Sequence, residues 1–422
     1  MTVSKGLTRR SALQLGAACA LTMAPGIVGA APARIVVIGG GFGGAAAARN
    51  AKSLLPTAEV ILYTDQERYW MCPGSNGVLA GLHGLDRVAV SYDGLRRAGI
   101  EVRIGKVTAV DAGAHSIKDE TGNTVRYDKL FLSPGIDFDY SDIEGMSARH
   151  IDKVPHAWKA GPQTTLLASQ LAAMPEGGLF VMSMPRAPYR CPPAPAERAC
   201  LVAHYLAQHN PTAKVLVLDA KDEFPFQDLF VEAWEKLYPG MIEYRSVAND
   251  GVVRAVDPDT LTVQMDFDEV TADVLNIIPP QLAGKIARDC GAADESGWCP
   301  VEPGSFASTL LPDVFVIGDA SLVDALPKAG STANSQASLA VATAVAQLTG
   351  VDHTLKSWVA NCYSLAAPDY GIRLGASYAL RDDRVVQTAT DFSVTGADAD
   401  TRKWDADFAG AWLDQIRLEV WG

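Results

Sequence analysis

Apolar runs of strand length alternate with helical stretches along this chain, a pattern that implies parallel sheets covered by helices. The run from Arg34 to Ile38 leads at once into Gly39, Gly40, Gly41, Phe42, Gly43 and Gly44 and then into the alanines at 45–48, which predicts strand, tight turn and helix. Further strands are expected over 59–65, 127–135, 178–182 and 214–219, the last two with a helix between them, and over 314–320, where the run ends in Gly318 and Asp319. The fold class expected is therefore α/β, with two Rossmann-like dinucleotide-binding domains. The first spans 34–150 and 277–350, the second is a unit at 151–276, and residues 351–422 form a C-terminal α+β interface domain. Within that last region the charge-mixed stretch 381–402 reads as a loop-rich surface excursion.

The glycine turn carries the first chemistry. Gly39 permits the tight turn, Gly41 lets the backbone approach a pyrophosphate and Gly44 allows close helix packing, while the helix N-terminus offers N–H groups to phosphates. The second unit has the layout of an NAD domain but not its fingerprint. After its first strand come Ser183, Pro185, Pro188, Arg190, Cys191, Pro192 and Pro193 instead of glycines. Prolines and bulky residues cannot build a phosphate cradle, so NAD(P)H binding there is not expected.

Charge and cysteine usage add a compartment. Residues 1–30 hold Lys5, Arg9 and Arg10, no acid and an apolar run from Ala12 to Ala24 that is too short to span a bilayer comfortably. The pair Arg9-Arg10 resembles a twin-arginine export signal, so a periplasmic protein without stable membrane insertion is expected. The formal charge is −13, or −16 once the three positive charges at Lys5, Arg9 and Arg10 are removed. That balance argues against nucleic acid and would suit a basic partner. Beyond Cys19 there are six cysteines, Cys72, Cys191, Cys200, Cys290, Cys299 and Cys362, whose spacing alone gives no connectivity. No spacing suggests a metal site, and no Cys-x-x-Cys-His would attach a haem to this chain.

Several longer motifs occur in order: Tyr69 to Asn76 around Cys72, His156 to Gly161, Arg190-Cys191-Pro192-Pro193, Gly297 to Val301, Ser331 to Gln336, and Asn361-Cys362-Tyr363-Ser364 running on to Gly371. Together they resemble the flavoprotein subunit of flavocytochrome c sulfide dehydrogenase, within the glutathione-reductase-like pyridine-nucleotide-disulfide oxidoreductases, over almost the whole chain after the leader. The resemblance implies FAD held by Gly39, Gly41, Phe42, Gly43, Gly44, Gly318 and Asp319, with a covalent thioether from Cys72. It implies a redox disulfide between Cys191 and Cys362, with Cys191 just ahead of a helix starting near Pro193, where the dipole would favour a thiolate. Glu197 matches a glutamate near that disulfide and is the candidate proton carrier. Lys328 is the candidate positive charge near the flavin, and Trp412 matches an aromatic position on a possible electron path. Two positions depart from the pattern. Thr64 stands where an acid holds the adenosine ribose, leaving the neighbouring Asp65 as candidate, and Ser331 replaces an aromatic residue.

The function implied is sulfide oxidation at the disulfide, with FAD passing electrons singly to a separate c-type cytochrome subunit. Two rivals belong beside it. A sulfide:quinone oxidoreductase shares the flavin and cysteine logic but delivers into the membrane, and the mixed, acidic tail from Trp404 suits protein contact better. A non-catalytic flavoprotein partner in a sulfur-oxidation system is the other.

Overall fold

The computed structural model describes residues 31–323, 325–352 and 357–422; the export signal read at 1–30 lies outside the described residues. β1 (Arg34–Ile38) has Ile35, Val36 and Val37 with no exposed surface, as a strand covered on both faces must. α1 (Phe42–Leu54) follows the glycine turn, and β2 (Glu59–Thr64), β3 (Glu101–Ile104) and β4 (Lys129–Leu132) join as parallel neighbours. The chain then leaves this sheet and builds another. β5 (Leu179–Met184), α2 (Ala194–His209), β6 (Lys214–Asp219), β7 (Ile242–Arg245) and β8 (Val274–Asn276) give a second parallel sheet in the order β7–β6–β5–β8. With β9 (Val314–Val316) it returns beside β4, so the first sheet reads β9–β4–β1–β2–β3. Parallel strands joined by helices are the α/β arrangement the pattern implied.

α3 (Gly330–Thr349) packs along α1, its alanines and valines allowing close approach, and Gly330 at its start lies against Phe42 at the start of α1. β10 (Ser357–Ala367), β11 (Tyr370–Arg381) and β12 (Arg384–Phe392) then form an antiparallel sheet that packs against α2 and α3 and is crossed by α4 (Ala399–Trp421). The loop-rich excursion expected over 381–402 is therefore corrected in its first half. Asp382 and Asp383 both take positive φ (49° and 57°), making a two-residue hairpin turn between Arg381 and Arg384. Two aspartates tolerate that backbone without being its usual signal, which is why the strand pair was hidden by its charges.

Polar anchors fix α4 in place. Arg402 has no exposed surface; its Nη2 donates to Glu232 Oε1 (3.1 Å) and Val394 O (2.8 Å), and its guanidinium sits over the Tyr370 ring. One turn on, buried Asp405 accepts from Ser393 Oγ (2.6 Å) and lies 3.2 Å from Arg373 Nε. Breaking one side of such a buried pair costs about 3–5 kcal/mol. The C-terminal region is thus tied to the rest of Ala33–Gly422, which forms one unit. Among the described residues no helix is long and apolar enough to cross a membrane.

Candidate active site

The glycine turn is built for close approach of a ligand. Gly39 has φ of +107°, and a Cβ there would lie 2.1 Å from Ser133 O; a Cβ on Gly44 would lie 1.8 Å from Gly39 O. Only glycine satisfies both, so strand, turn and helix are held tightly against one another. The N-cap of α1 is Gly41, with no side-chain cap and no acid in the first turn, leaving the positive end of the helix free for an anion. Phe42 packs edge-on against Trp421 (4.9 Å between centroids), which stacks on Tyr69 and donates from Nε1 to Gly40 O at 3.2 Å. The end of α4 therefore lies against the glycine turn.

A cleft with about 600 Å³ of space, counting its open mouth, lies beside this cradle and gathers Cys72, Cys191, Cys362, Glu197, Arg198 and Trp412. Cys72 stands in the turn before Asn76, its Sγ 3.6 Å from Trp158 O. Cys191 lies in the β5–α2 connection with φ of +55°, a left-handed conformation that costs a β-carbon-bearing residue about 1–3 kcal/mol. Its N–H donates to Lys328 O (2.6 Å) and its carbonyl accepts from Ala194 N (2.9 Å), and these bonds hold the strained turn. Cys362 comes from β10, and Cys191 and Cys362, both free cysteines, line the same cleft. Residues 171 positions apart in sequence thus meet.

Glu197 ties the three cysteine-bearing segments together. Its Oε2 accepts from Asn76 Nδ2 (2.8 Å), four residues after Cys72, and its Oε1 accepts from Leu365 N (3.0 Å), three residues after Cys362. Burial raises its carboxyl above the ordinary range, favouring a proton at neutral pH more than for a solvated glutamate. On the other side Ser331, in the first turn of α3, donates from Oγ to Asn361 O (2.7 Å) and accepts from Asn361 N (2.9 Å). The departure at Ser331 therefore has a structural use: it clamps β10 next to Cys362, which an aromatic ring could not.

Charge is arranged around the sulfurs. The neighbouring Cys362 sulfur, which favours the protonated thiol, and then burial push the Cys191 thiol well above its ordinary value. This corrects the expectation that the α2 dipole would favour a Cys191 thiolate: a nearby sulfur and a dry site outweigh one helix end. Lys328 spends its N–H groups on Asp319 O (2.8 Å) and Ser321 O (2.7 Å) and sits 3.8 Å above the Trp298 ring; burial lowers it to about 8. Arg190 donates to Trp158 O and has Nη1 4.0 Å from Asp319 Oδ2.

Of the residues read from sequence, the structure brings Cys72, Cys191, Cys362 and Glu197 to one cleft, with Trp412 on its wall. Gly318, with φ of +76°, donates its N–H to Gln336 Oε1 (2.6 Å) and presents Asp319 next to Arg190. Asp65 stands exposed at the end of β2, whereas Thr64 is buried with its Oγ1 3.2 Å from Tyr92 OH. Asp65 is thus the acid available at that strand end. Cys200 and Cys299 are fully buried, and Cys200 accepts from Trp234 Nε1 at 3.0 Å. Sequence reading missed Asn76, Arg198 and Asn276, which are joined in one buried network: Arg198 donates to both asparagine Oδ1 atoms at 3.0 Å. Nothing in an apolar pattern announces that an arginine inside helix α2 points inward.

The donor set fits FAD. A cradle that a Cβ would fill, two uncapped helix N-termini at α1 and α3, and unpartnered buried polar atoms at Thr332 Oγ1 and Trp158 Nε1 suit a pyrophosphate joined to a polar ring system. Fold and site together define a flavoprotein of the pyridine-nucleotide-disulfide oxidoreductase class, and residues 33–163 match the family described as pyridine nucleotide-disulphide oxidoreductase. Residues 164–279 match the central region of the sulfide dehydrogenase [flavocytochrome c] flavoprotein chain, and residues 355–421 match the flavocytochrome c sulphide dehydrogenase flavin-binding family. The sulfide dehydrogenase [flavocytochrome c] flavoprotein chain of Chlorobaculum thiosulfatiphilum is 44% identical over 45 residues, 11% of this chain and 94% of that sequence. The chain belongs to the flavoprotein family of flavocytochrome c sulfide dehydrogenase, and FAD is its cofactor.

More distant relatives mark the fold. The mitochondrial sulfide:quinone oxidoreductase of Mus musculus is 22% identical over 307 residues, covering 68% of this chain and 65% of that protein's length. A sulfide-quinone reductase of Aquifex aeolicus is matched over 24% of its length. The solved sulfide:quinone oxidoreductase of Aquifex aeolicus superposes with TM-score 0.72 at 19% identity, covering 92% of this chain and 91% of that one. The NAD-dependent persulfide reductase of A. fulgidus gives 0.62 at 15% identity over 89% and 77%.

Proposed function

We propose that this chain is a periplasmic sulfide dehydrogenase flavoprotein, carrying FAD covalently on Cys72, oxidising sulfide at a Cys191–Cys362 disulfide and passing electrons to a c-type cytochrome partner. The observation that carries the reading is the meeting of Cys72, Cys191 and Cys362 in one cleft with Glu197 between their segments. Hydrosulfide attacks one sulfur of the disulfide: a new S–S bond forms, the old one breaks, one cysteine becomes a persulfide and the other leaves as thiolate. Glu197, its carboxyl raised by burial, is placed to exchange a proton at the cleft. FAD, when bound, accepts the electron pair and hands electrons on one at a time.

A polar surface carrying an aromatic path supports a protein acceptor over a quinone. On α4 exposed Trp404 packs on Phe408 (5.4 Å), Phe408 on Tyr363 (5.1 Å) and Tyr363 on Trp412 at the cleft wall (5.4 Å). Asp391, Asp407 and Asp414, exposed on and around this helix, are each paired with a cation, Arg373, Lys403 and Arg87, so the face is polar and charge-balanced rather than apolar. Anaerobic mixing of holoprotein with sulfide tests the proposal. Rapid bleaching of the flavin band, reversed by oxidised cytochrome c and absent in Cys191→Ser, is the expected result; an unbleached wild-type flavin refutes it.

A further inference from the structure

Arg198 is a buried cation whose hydrogen bonds include no carboxylate. It is 2% exposed, and its bonds run to Asn76 Oδ1 (3.0 Å), His156 O (2.8 Å), Asn276 Oδ1 (3.0 Å) and Ala157 O (2.6 Å), with the Trp158 ring 5.0 Å from its Cζ. All four acceptors are neutral oxygens. A guanidinium has five N–H groups, so these bonds leave one uncommitted. A charge taken out of water costs several kcal/mol unless an opposite charge answers it. Here Arg198 also lines the cleft that holds the three cysteines.

The charged groups around it do not supply the answer. Arg190 lines the same cleft and adds a second positive charge. Glu197 is the one carboxyl on the lining among the described residues, both its oxygens are engaged, and burial disfavours its ionised form. Buried His156, lowered to about 3, is neutral, and Asp319 faces Arg190 at 4.0 Å. Arg198 itself is lowered by burial to about 10 and so stays charged at neutral pH. In a chain of net charge −13, this cleft is a local exception: Arg190 has Asp319 behind it, while Arg198 has no carboxylate among its hydrogen-bond partners.

We propose that Arg198, assisted by Arg190, makes the cleft an anion site that selects a small monoanion of the hydrosulfide type over neutral thiols and holds it beside Cys191 and Cys362. The proposal rests on the sulfide reading above and names how the site chooses the ionised form of its substrate. Arg198 forms and breaks no covalent bond; it positions the nucleophile and supplies the charge that pairs with it. The same network explains why the residue is held rigidly, since an anion trap with a mobile cation would lose its advantage to reorganisation.

Anaerobic rapid mixing with sulfide, from mildly acid to mildly alkaline pH, tests this in wild type, Arg198→Lys and Arg198→Gln, with flavin content and thermal melts recorded for each. Inert thiocyanate serves as a competing monoanion and uncharged dithiothreitol as a control reductant. In wild type, thiocyanate should raise the half-saturating sulfide concentration without slowing reduction by dithiothreitol. Arg198→Gln should raise that concentration at least about tenfold with a smaller change in plateau rate and lose thiocyanate competition, while Arg198→Lys restores both in part. Unchanged half-saturation and competition in the Gln variant would overturn the proposal. If that variant fails to fold, the wild-type thiocyanate arm decides alone, and absence of competition overturns it. If sulfide does not bleach the wild type, the sulfide reading fails instead; thiocyanate titration of the flavin spectrum then shows whether an anion site exists, and no spectral shift overturns that too.

Discussion

Two strand–turn–helix units of the same topology lie within this chain, and their turns have been put to opposite uses. β1 leads through glycines to α1, where the missing side chains leave the helix end open and Gly39 and Gly44 let backbone press against backbone. β5 leads through Pro185, Pro188, Pro192 and Pro193 to α2, where the turn is filled and Cys191 is held in a left-handed conformation. The next strand ends differ as well. Asp65 at the end of β2 is exposed, whereas Asp219 at the end of β6 has no exposed surface and is occupied by Lys221 and by Tyr244 OH at 3.0 Å. The second unit thus keeps the sheet of a dinucleotide fold without its glycine turn, and the turn in its place brings Cys191 into the cleft.

The largest effect should come from the second turn. Cys191→Ser is expected to slow sulfide-driven flavin bleaching by about a thousandfold or more while flavin content stays unchanged, as absorbance and stopped-flow records would show. The first turn should answer in cofactor and stability. In Gly44→Val the new Cβ meets Gly39 O, so loss of FAD and at least about 3 kcal/mol of stability are expected in denaturant melts. If that variant keeps FAD, the glycine cradle is not what binds it. NADH should leave the wild-type flavin oxidised, because the proline turn and the sealed Asp219 offer no site for it; bleaching by NADH would erase the contrast between the units.

The smallest effect concerns Glu197, and its sign follows from burial. Its carboxyl is raised above the ordinary 4.5, so its contribution to stability is full below that value and is lost as pH rises through the raised one. Glu197→Gln removes the titration. Between mildly acid and mildly alkaline pH, urea melts should show the variant gaining on wild type by on the order of 1 kcal/mol. A constant gap between the two would mean that Glu197 is not titrating in that window.

Legibility in the sequence divides along the same line. Apolar runs and glycines showed β1, α1, β5, α2 and β6, because burial on both faces and positive φ restrict residue choice strongly. The cleft was legible only through motifs around Cys72, Cys191 and Cys362, since contacts between residues so distant in sequence leave no periodic trace. The β11–β12 hairpin was concealed by Asp382 and Asp383, and the buried Arg198 by a helix position that charge alone would assign to solvent. The Cys191 thiol was misjudged because its nearest influence is another sulfur from a different element.

The most direct test of the account is to trap the first covalent species. Holoprotein with its cysteines oxidised would be mixed anaerobically with one equivalent of sulfide, quenched with an alkylating agent and digested for peptide mass analysis. The account predicts one added sulfur atom on the peptide carrying Cys191 or Cys362 and alkylation of the other cysteine. Flavin reduction with neither peptide changed would contradict it.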